Sequence, residues 1–337
     1  MLVVMHKDAT EDQIRLVCRA IRQMGLKPHS IKGAQRVAIG ITGNKEMVDE
    51  KALENLAGVL NIIHVTQPYK LTGREMKPED TKIEIENILI GGSKAVVIAG
   101  PCAVESEKQT IETATKVKSA GADMLRGGAF KPRTSPYSFQ GLGEAGLKIL
   151  TKARKETGLP VVSEAVDTEV FSIVEEYVDV IQIGARNMQN YSLLKKAGKS
   201  KKPVLLKRGM ASTIQEFLLA AEYIMSEGNY NVILCERGIR TFSDFTRFTL
   251  DISSIPELKR ISHLPVIVDP SHASGKRDMI LPLSRAAVAA GADGIMVEVH
   301  NNPDKALSDG PQSLTIGGFE KLIKELKIIG KAVGRTI

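Results

Sequence analysis

The spacing of apolar and polar positions changes near residue 94 and divides the chain into two parts. Before the change, residues 2–5 (LVVM) predict a strand and residues 10–24 predict an amphipathic helix. KPHSIKG and RVAIGIT predict two more strands, residues 46–56 a second helix, and GVLNIIHVT a last strand. The order βαββαβ is the ferredoxin-like split βαβ motif, so we predict a small domain over residues 1–66.

A polar stretch, QPYKLTGREMKPED, follows and predicts a linker over residues 67–80. The next segment, TKIEIENILIGG, alternates apolar and polar positions around a central Glu-Asn pair, which predicts a β-hairpin. We therefore place the start of the second domain at residue 81 and extend it to residue 337.

From Lys94 onward, short apolar runs alternate with amphipathic helical segments. There are eight such runs: AVVIAG, DMLRGG, PVVSEA, DVIQIGA, PVLLKRG, NVILCERG, PVIVDPSH and GIMVEVH. Apolar strands that alternate with helices predict a parallel sheet covered by helices. The fold class is α/β, and eight evenly spaced units favour a closed (β/α)₈ TIM barrel over an open doubly wound sheet.

Composition excludes several classes of protein. The net charge of +7 is spread along the chain, aromatic residues make up 4% and tryptophan is absent, which argues against a nucleic-acid surface and favours anionic small molecules. Three cysteines do not form a disulfide framework, and no segment has the pattern of a signal peptide or a membrane span. We expect a soluble protein of the reducing cytoplasm.

Conspicuous polar residues follow every predicted barrel strand. Because the carboxyl ends of the eight strands meet at one mouth, these side chains are expected to converge there. In strand order they are Cys102, Arg126, Glu164, Arg186, Lys207 with Arg208, Arg237, Asp269 to His272, and Glu298 with His300.

Two sets stand out in the mouth. Cys102, His272 and Glu298, with Asp309 from the loop after the last strand, form a mixed sulfur, nitrogen and oxygen set. Such a set suits Mn, Fe, Co or Zn better than Mg or Ca. No local spacing such as CxxC supports it, and Cys102 taken alone could be a small buried residue. Cys18, Cys235 and His263 are interpreted as structural.

The second set is cationic: Arg126, Lys131, Arg133, Arg186, Lys207, Arg208 and Arg237. Several cations in one mouth repel one another unless anions bind there, so we expect substrates with more than one anionic group. The GLGEAG segment at 141–146 fits the glycine pattern of dinucleotide sites but does not follow a strand directly. We interpret it as a turn and helix start.

These motifs together resemble one family. The chain resembles the 3-deoxy-D-arabino-heptulosonate 7-phosphate (DAHP) synthases in eight motifs: GPCAVES, LRGGAFKPRTSPYSFQG, IGARNMQN, LLKRG, ILCERG, VDPSH, VEVH and ALSDGPQSL. The resemblance covers the whole barrel, and the first domain resembles the ACT-like regulatory module of one subfamily. It implies a metal-dependent, aldol-like condensation of phosphoenolpyruvate with erythrose 4-phosphate, the first step of the shikimate pathway.

The resemblance also implies roles for single residues. One divalent metal ion would be held by Cys102, His272, Glu298 and Asp309. The carboxylate end of phosphoenolpyruvate would be held by Arg126, Lys131 and Lys207, and its phosphate by Ala185, Arg186 and Arg237. The erythrose phosphate would be held by Arg133 and Thr134, with Ser135 nearby. Glu164 would orient water or phosphate, and the proton carrier is Lys131, Glu164, His272 or a water on the metal.

For the first domain, the resemblance implies inhibition by tyrosine or phenylalanine, bound where two such modules meet in a homotetramer. His29 and Ser30 on the second strand are the polar candidates, and neighbouring strand residues face opposite sides.

Two other functions remain as alternatives. The octulosonate 8-phosphate synthases use arabinose 5-phosphate, but they typically carry Lys-Ala-Asn-Arg where this chain has Lys131-Pro132-Arg133-Thr134, and they lack the first domain. A non-catalytic phosphate sensor is the more distant alternative, and an intact set of four ligands argues against it.

Overall fold

The structure is a computed structural model that describes residues 1–33, 36–43, 48–64, 67–132 and 135–337. The first domain is confirmed as a ferredoxin-like module. Its elements are β1 (Leu2–Met5), α1 (Glu11–Gln23), β2 (Lys27–Lys32), β3 (Val37–Thr42), α2 (Glu50–Glu54) and β4 (Val59–Ile63). The strands form an antiparallel sheet in the order β2-β3-β1-β4.

Sequence signals explain the first long helix of this module. The side chain of Thr10 caps α1 by accepting a hydrogen bond from the backbone N–H of Gln13. The side chain of Gln13 in turn accepts a hydrogen bond from the backbone N–H of Thr10. This reciprocal pair satisfies two otherwise unpaired donors at the helix start. The apolar face of α1, with Ile14, Val17 and Ile21, packs on one side of the sheet.

The predicted barrel is also confirmed. Within the described residues, eight parallel strands close in chain order, because the last pairs with the first. The strands are β7 (Val96–Gly100), β8 (Met124–Arg126), β9 (Val161–Glu164), β10 (Val180–Ile183), β11 (Val204–Lys207), β12 (Val232–Glu236), β13 (Val266–Val268) and β14 (Gly294–Glu298).

Helices surround the barrel. They are α3 (Glu107–Ala120), α4 (Glu144–Thr157), α5 (Phe171–Tyr177), α6 (Tyr191–Lys199), α7 (Ile214–Ser226), α8 (Ser254–Ile261), α9 (Pro270–Ser274), α10 (Arg277–Ala289) and α11 (Ile316–Ala332). No helix in the described part of the chain is long and apolar enough to cross a membrane.

The predicted hairpin closes the amino end of the barrel. It consists of β5 (Ile83–Ile85) and β6 (Ile88–Ile90), and Glu86 in its turn has a φ of 52°. Ile83, Ile85 and Ile90 pack against the apolar side chains inside the barrel. The hairpin therefore seals the end opposite the mouth, which leaves one open end for a site.

The polar segment at 67–80 is a packed layer between the two domains. Tyr69, Leu71 and Met76 are buried in the same cluster as Leu2 and Val4 of the module sheet. The carboxylate of Glu222 on α7 fixes this layer by accepting hydrogen bonds from the backbone N–H groups of residues 70, 71 and 72, at 2.8–3.0 Å. The module is thus anchored on the amino side of the barrel, away from the mouth.

Candidate active site

A cavity of about 310 Å³ lies at the carboxyl ends of the barrel strands. The structure brings ten of the predicted site residues to its wall: Arg126, Lys131, Ser135, Glu164, Ala185, Arg186, Lys207, Arg237, His272 and Asp309. Arg133 and Thr134, predicted for the erythrose phosphate, lie outside the described residues. The barrel geometry therefore gathers side chains that are up to about 180 positions apart in the sequence.

Three of the four predicted metal ligands, Cys102, Glu298 and Asp309, form one cluster, and His272 joins it through Glu298; Asp309 and His272 also line the cavity. The Sγ of Cys102 and one carboxylate oxygen each of Glu298 and Asp309 lie within 4.8 Å of one another. The Sγ of Cys102 is 3.1 Å from Oδ2 of Asp309, and the Nε2 of His272 is 3.3 Å from Oε1 of Glu298. Asp309 reaches this position with a φ of 50°, in the left-handed region that a non-glycine residue seldom adopts.

The electrostatics of this cluster fit a bound cation. Burial, reinforced by the negative charge of Glu298, raises the pKa of the Cys102 thiol to about 12. Burial also opposes ionisation of Glu298, but His272 and Arg126 outweigh it and lower the pKa of that carboxyl to about 2. A thiol that is protonated beside two carboxyl groups becomes a thiolate ligand when a divalent cation replaces its proton. The donor set therefore fits a thiophilic divalent metal ion.

Both carboxylate oxygens of Glu298 accept hydrogen bonds. Its Oε1 accepts a hydrogen bond of 2.6 Å from Nη1 of Arg126, and its Oε2 accepts one of 2.7 Å from Nε2 of Gln312. Lys131 approaches the same cluster, with its Nζ 3.2 Å from the Sγ of Cys102 and 3.0 Å from the carbonyl oxygen of Cys102. These hydrogen bonds fix the orientation of the Glu298 carboxylate and connect Lys131 to the cluster.

The wall of the cavity also carries Arg237, a buried cation with a donor that is unpartnered within the described part of the chain. Arg237 is 6% exposed, and among the described residues its buried Nη1 has no hydrogen-bond partner. Its guanidinium stacks 4.2 Å from the ring centre of Phe248, and burial lowers its pKa. A buried guanidinium that faces a cavity with an unsatisfied N–H is a site for an anion.

Strand β10 ends in a turn that shapes this anion site. Glu164 accepts a hydrogen bond of 2.9 Å from Nε2 of Gln182, and a side chain at Gly184 would place its Cβ 2.1 Å from Oε1 of Glu164. Glycine therefore leaves this carboxylate in place, whereas a larger residue would displace it. Ala185 and Arg186 follow directly, and Nη1 of Arg186 donates to the carbonyl oxygen of Pro132 at 3.3 Å.

The structure corrects the cationic set at one position. Arg208 is 3% exposed and binds Glu236 and Asp251, at 2.7 and 2.9 Å, instead of lining the cavity. Lys207 and Arg208 are adjacent at the end of a strand, so their side chains point to opposite faces. Strand alternation predicts that only one of the two enters the mouth.

Sequence reasoning missed several residues of this wall. Arg247 lies in the long loop after β12 and lines the cavity, with Nη1 3.7 Å from Oδ1 of Asp309 and 3.1 Å from Oε1 of Gln312. The loop has neither helical nor strand periodicity, and the one available signal was its pair of arginines in RTFSDFTRF. Gln312 carries no charge and had no signal of its own.

The candidates of the first domain lie far from the mouth. His29 is 2% exposed, with Nδ1 2.9 Å from the hydroxyl of Tyr230 and Nε2 2.7 Å from Oγ1 of Thr42. Burial lowers its pKa to about 4. Ser30 is exposed on the other face of β2. His263 at the amino end of the barrel bonds to Leu71 and Thr81, as a structural histidine does.

Comparison with known proteins agrees with this geometry. Residues 1–67 match the DAHP synthase ferredoxin-like domain, and residues 77–333 match the DAHP synthetase I family. The phospho-2-dehydro-3-deoxyheptonate aldolase of Thermotoga maritima is 52% identical over 334 residues, which cover 99% of each chain. A 2-dehydro-3-deoxyphosphooctonate aldolase of Syntrophotalea carbinolica is 34% identical and covers 74% of this chain and 96% of its own.

Solved structures extend the similarity to three dimensions. The crystal structure of the Thermotoga maritima DAHP synthase superposes with a TM-score of 0.80 at 51% identity, covering 99% of this chain and 98% of that one. A truncated form of the same enzyme gives a TM-score of 0.75 at 51% identity and covers 80% of this chain and 98% of its own. The chain therefore belongs to the DAHP synthetase I family and is an enzyme, a 3-deoxy-7-phosphoheptulonate synthase.

Proposed function

We propose that the enzyme condenses phosphoenolpyruvate with erythrose 4-phosphate and water to give 3-deoxy-D-arabino-heptulosonate 7-phosphate and phosphate. The observation that supports this most is the pairing, in one cavity, of a mixed-donor cluster at Cys102 with an unpaired buried guanidinium at Arg237. The first fits a cation that activates an aldehyde, and the second fits a phosphate.

One divalent metal ion of the Mn, Fe, Co or Zn type would be held by Cys102, His272, Glu298 and Asp309. When bound, it would supply a Lewis acid for the aldehyde oxygen. Two close pairs of donor atoms support this assignment: Cys102 with Asp309 at 3.1 Å and His272 with Glu298 at 3.3 Å.

The cations of the wall would hold phosphoenolpyruvate. Arg126, Lys131 and Lys207 would bind its carboxylate end, while Arg186, Arg237 and the backbone N–H of Ala185 would bind its phosphate. Arg133 and Thr134 would bind the aldose phosphate, and Ser135, the next residue in the sequence, lines the cavity. Together these groups satisfy two phosphates and one carboxylate.

The reaction would then proceed between the two fixed substrates. C3 of phosphoenolpyruvate bonds to the aldehyde carbon, and the positive charge that develops at C2 is quenched by water. Glu164 would orient that water, because its carboxylate is held at the cavity wall by Gln182. The tetrahedral intermediate expels phosphate, whose charge Arg186 and Arg237 stabilise without reorganisation. Lys131, Glu164 and His272 are the candidate proton carriers.

We also propose that the first domain regulates the enzyme. Tyrosine or phenylalanine would bind at His29 or Ser30 where two modules meet in a tetramer. The position of the module on the amino side of the barrel supports a regulatory role, because no described residue of the module lines the cavity.

A phosphate-release assay tests the catalytic proposal. Purified enzyme is given phosphoenolpyruvate with either erythrose 4-phosphate or arabinose 5-phosphate, with and without a chelator, and then with added metal. We expect release with erythrose 4-phosphate, loss with the chelator, and recovery with Mn²⁺ or Co²⁺. Preference for arabinose 5-phosphate would establish an octulosonate synthase, and binding without turnover of either aldose would establish a sensor.

A further inference from the structure

Asp269 connects a residue of the proposed metal site, His272, with a residue of the proposed phosphoenolpyruvate site, Lys207. It follows β13, is 0% exposed, and directs both carboxylate oxygens at cavity residues. Its Oδ1 accepts a hydrogen bond of 2.9 Å from the backbone N–H of His272. Its Oδ2 is 2.7 Å from Nδ1 of His272 and also accepts a hydrogen bond from Nζ of Lys207. One carboxylate thus holds a residue proposed to bind the metal ion and a cationic residue proposed to bind phosphoenolpyruvate.

The bond to Nδ1 sets the tautomer of the imidazole. An ionised carboxylate only accepts hydrogen bonds, so Nδ1 carries the hydrogen and Nε2 keeps its lone pair. That lone pair faces Oε1 of Glu298 at 3.3 Å. Two acceptors at this distance are complementary to a shared cation, and a carboxylate behind a ligating imidazole is the arrangement that orients it.

The same oxygen fixes Lys207. This lysine lies at the end of β11, is buried, and still contributes to the cavity wall. Its four-carbon chain is flexible, so the bond to Asp269 selects one position of the ammonium group. Any shift of Asp269 therefore moves the imidazole and the ammonium group together.

We propose that Asp269 is a positioning residue that fixes the His272 tautomer for metal binding and the Lys207 ammonium for phosphoenolpyruvate binding. The proposal rests on the proposed function of the site. It assigns to Asp269 no contact with substrate or metal.

A purely structural role is the competing explanation, since Asp269 also caps the short helix α9. Asp269→Asn separates the two roles. An asparagine Oδ1 still caps the helix, whereas its Nδ2 is a donor that opposes both Nδ1–H of His272 and the ammonium of Lys207.

Asp251 provides a matched control. It accepts a hydrogen bond of 3.2 Å from the backbone N–H three residues ahead, at Ser254, and one of 2.9 Å from the strand-end cation Arg208. It therefore repeats the pattern of Asp269 away from the cavity. Asp251→Asn should change stability without changing the affinity for metal.

The experiment compares full-length wild type, Asp269→Asn and Asp251→Asn. The affinity of the metal-free proteins for Mn²⁺ is measured by titration calorimetry, and KM is measured for each substrate with saturating metal. For Asp269→Asn we expect metal affinity to fall about 10- to 100-fold. We also expect its KM for phosphoenolpyruvate to rise more than its KM for erythrose 4-phosphate, while Asp251→Asn keeps wild-type values for all three quantities.

A second measurement does not depend on the folding of Asp269→Asn. Long-range ¹H–¹⁵N spectra of the metal-free wild type report the tautomer of His272, with its signals assigned by their loss in His272→Gln. The Nδ1–H tautomer is expected. The Nε2–H tautomer, unchanged Mn²⁺ affinity in Asp269→Asn, or an equal loss of affinity in both variants would overturn the proposal. A wild type that turns over neither aldose would overturn the proposed function instead, and the tautomer and the Mn²⁺ titration would still decide the role of Asp269.

Discussion

At the scale of single residues, the chemistry of the site depends on side chains whose ordinary ionisation is changed by their surroundings. Cys102 is the clearest case, because the thiol is buried beside two carboxyl groups and its pKa is raised to about 12. Such a thiol is inert as a free nucleophile and is useful only when a cation displaces its proton. This is why the cysteine, and not a third carboxylate, indicates a thiophilic metal.

Cys102→Ser tests that interpretation. The hydroxyl is slightly smaller than the thiol but still offers a donor and an acceptor towards Ser308 and Asp309, so the melting temperature should change little. A serine hydroxyl does not ionise under the cation as a thiol does, so metal content should fall and phosphate release should drop by about 100-fold or more. Metal content by elemental analysis and turnover after reconstitution are the measurements. Full metal occupancy with normal turnover would remove Cys102 from the site.

At the scale of elements, the carboxyl ends of the barrel strands position the side chains of the cavity wall. The end of β9 supplies Glu164 and the turn after β10 supplies Gly184 and Arg186 to one cavity wall, and Gly184 has a φ of −69°, which any residue adopts. The requirement for glycine at this position is therefore steric and comes from the neighbouring strand. A Cβ added at this position would collide with the carboxylate of Glu164, whereas the backbone conformation itself would not be strained.

Gly184→Ala should therefore reduce catalysis more than stability. Displacing Glu164 by about 1 Å should lower kcat about 10- to 100-fold, since misplacement on this scale disrupts the alignment of reacting groups. Steady-state kinetics of Gly184→Ala, Glu164→Ala and the double variant form a thermodynamic cycle. The second substitution should add little to the first. Fully additive losses would show that the two positions act independently.

At the scale of the whole molecule, two buried histidines hold the interface between module and barrel. His29 bonds to Tyr230 of the barrel and His263 bonds to Leu71 of the connecting layer, and burial lowers the pKa of each to about 4. Both rings are neutral in the folded protein. Because the unfolded state binds protons near pH 6.5, folded stability should be full above that pH.

The free energy of unfolding should accordingly fall as pH decreases from about 6.5 towards 4. Thermal unfolding measured at intervals between pH 7.5 and 4.5 checks this, with His29→Gln as the comparison. That variant removes one titrating group at the interface, so its melting temperature should depend less steeply on pH. Equal slopes for both proteins would mean that His29 does not contribute to the dependence.

Removal of residues 1–66 tests the role of the module. Catalysis should persist, because the cavity is built by the barrel, but inhibition by tyrosine or phenylalanine should disappear. An inhibitor coupling of about 1–3 kcal/mol should also appear in the full-length enzyme as weaker inhibition at saturating substrate. The melting temperature should fall, since Tyr69, Leu71 and Met76 lose their cover. A truncated enzyme that is still inhibited, or a full-length enzyme that responds to neither amino acid, would contradict the regulatory proposal.

The sequence alone determined the order of elements, the closure of eight strands and the types of side chain at the mouth. These properties depend on local patterns, since strand and helix periodicity extends over a few residues and most candidates lie at or just after the end of a strand. That is why Cys102, Glu298 and Arg237 could be named in advance. It is also why the ferredoxin-like module was visible within the first 66 residues.

The tertiary structure decided which of these side chains pair with one another. Asp269 was visible at a strand end, and its bond to His272 is local, but its bond to Lys207 depends on how β11, β12 and β13 align in the barrel. Other contacts join segments 14 to 152 positions apart. They are the hydrogen bonds of Gln312 to Glu298, of Arg247 to Gln312, and of the backbone at residue 70 to Glu222. Such contacts are fixed by barrel closure and by the packing of whole layers, and no periodicity within a short window encodes them.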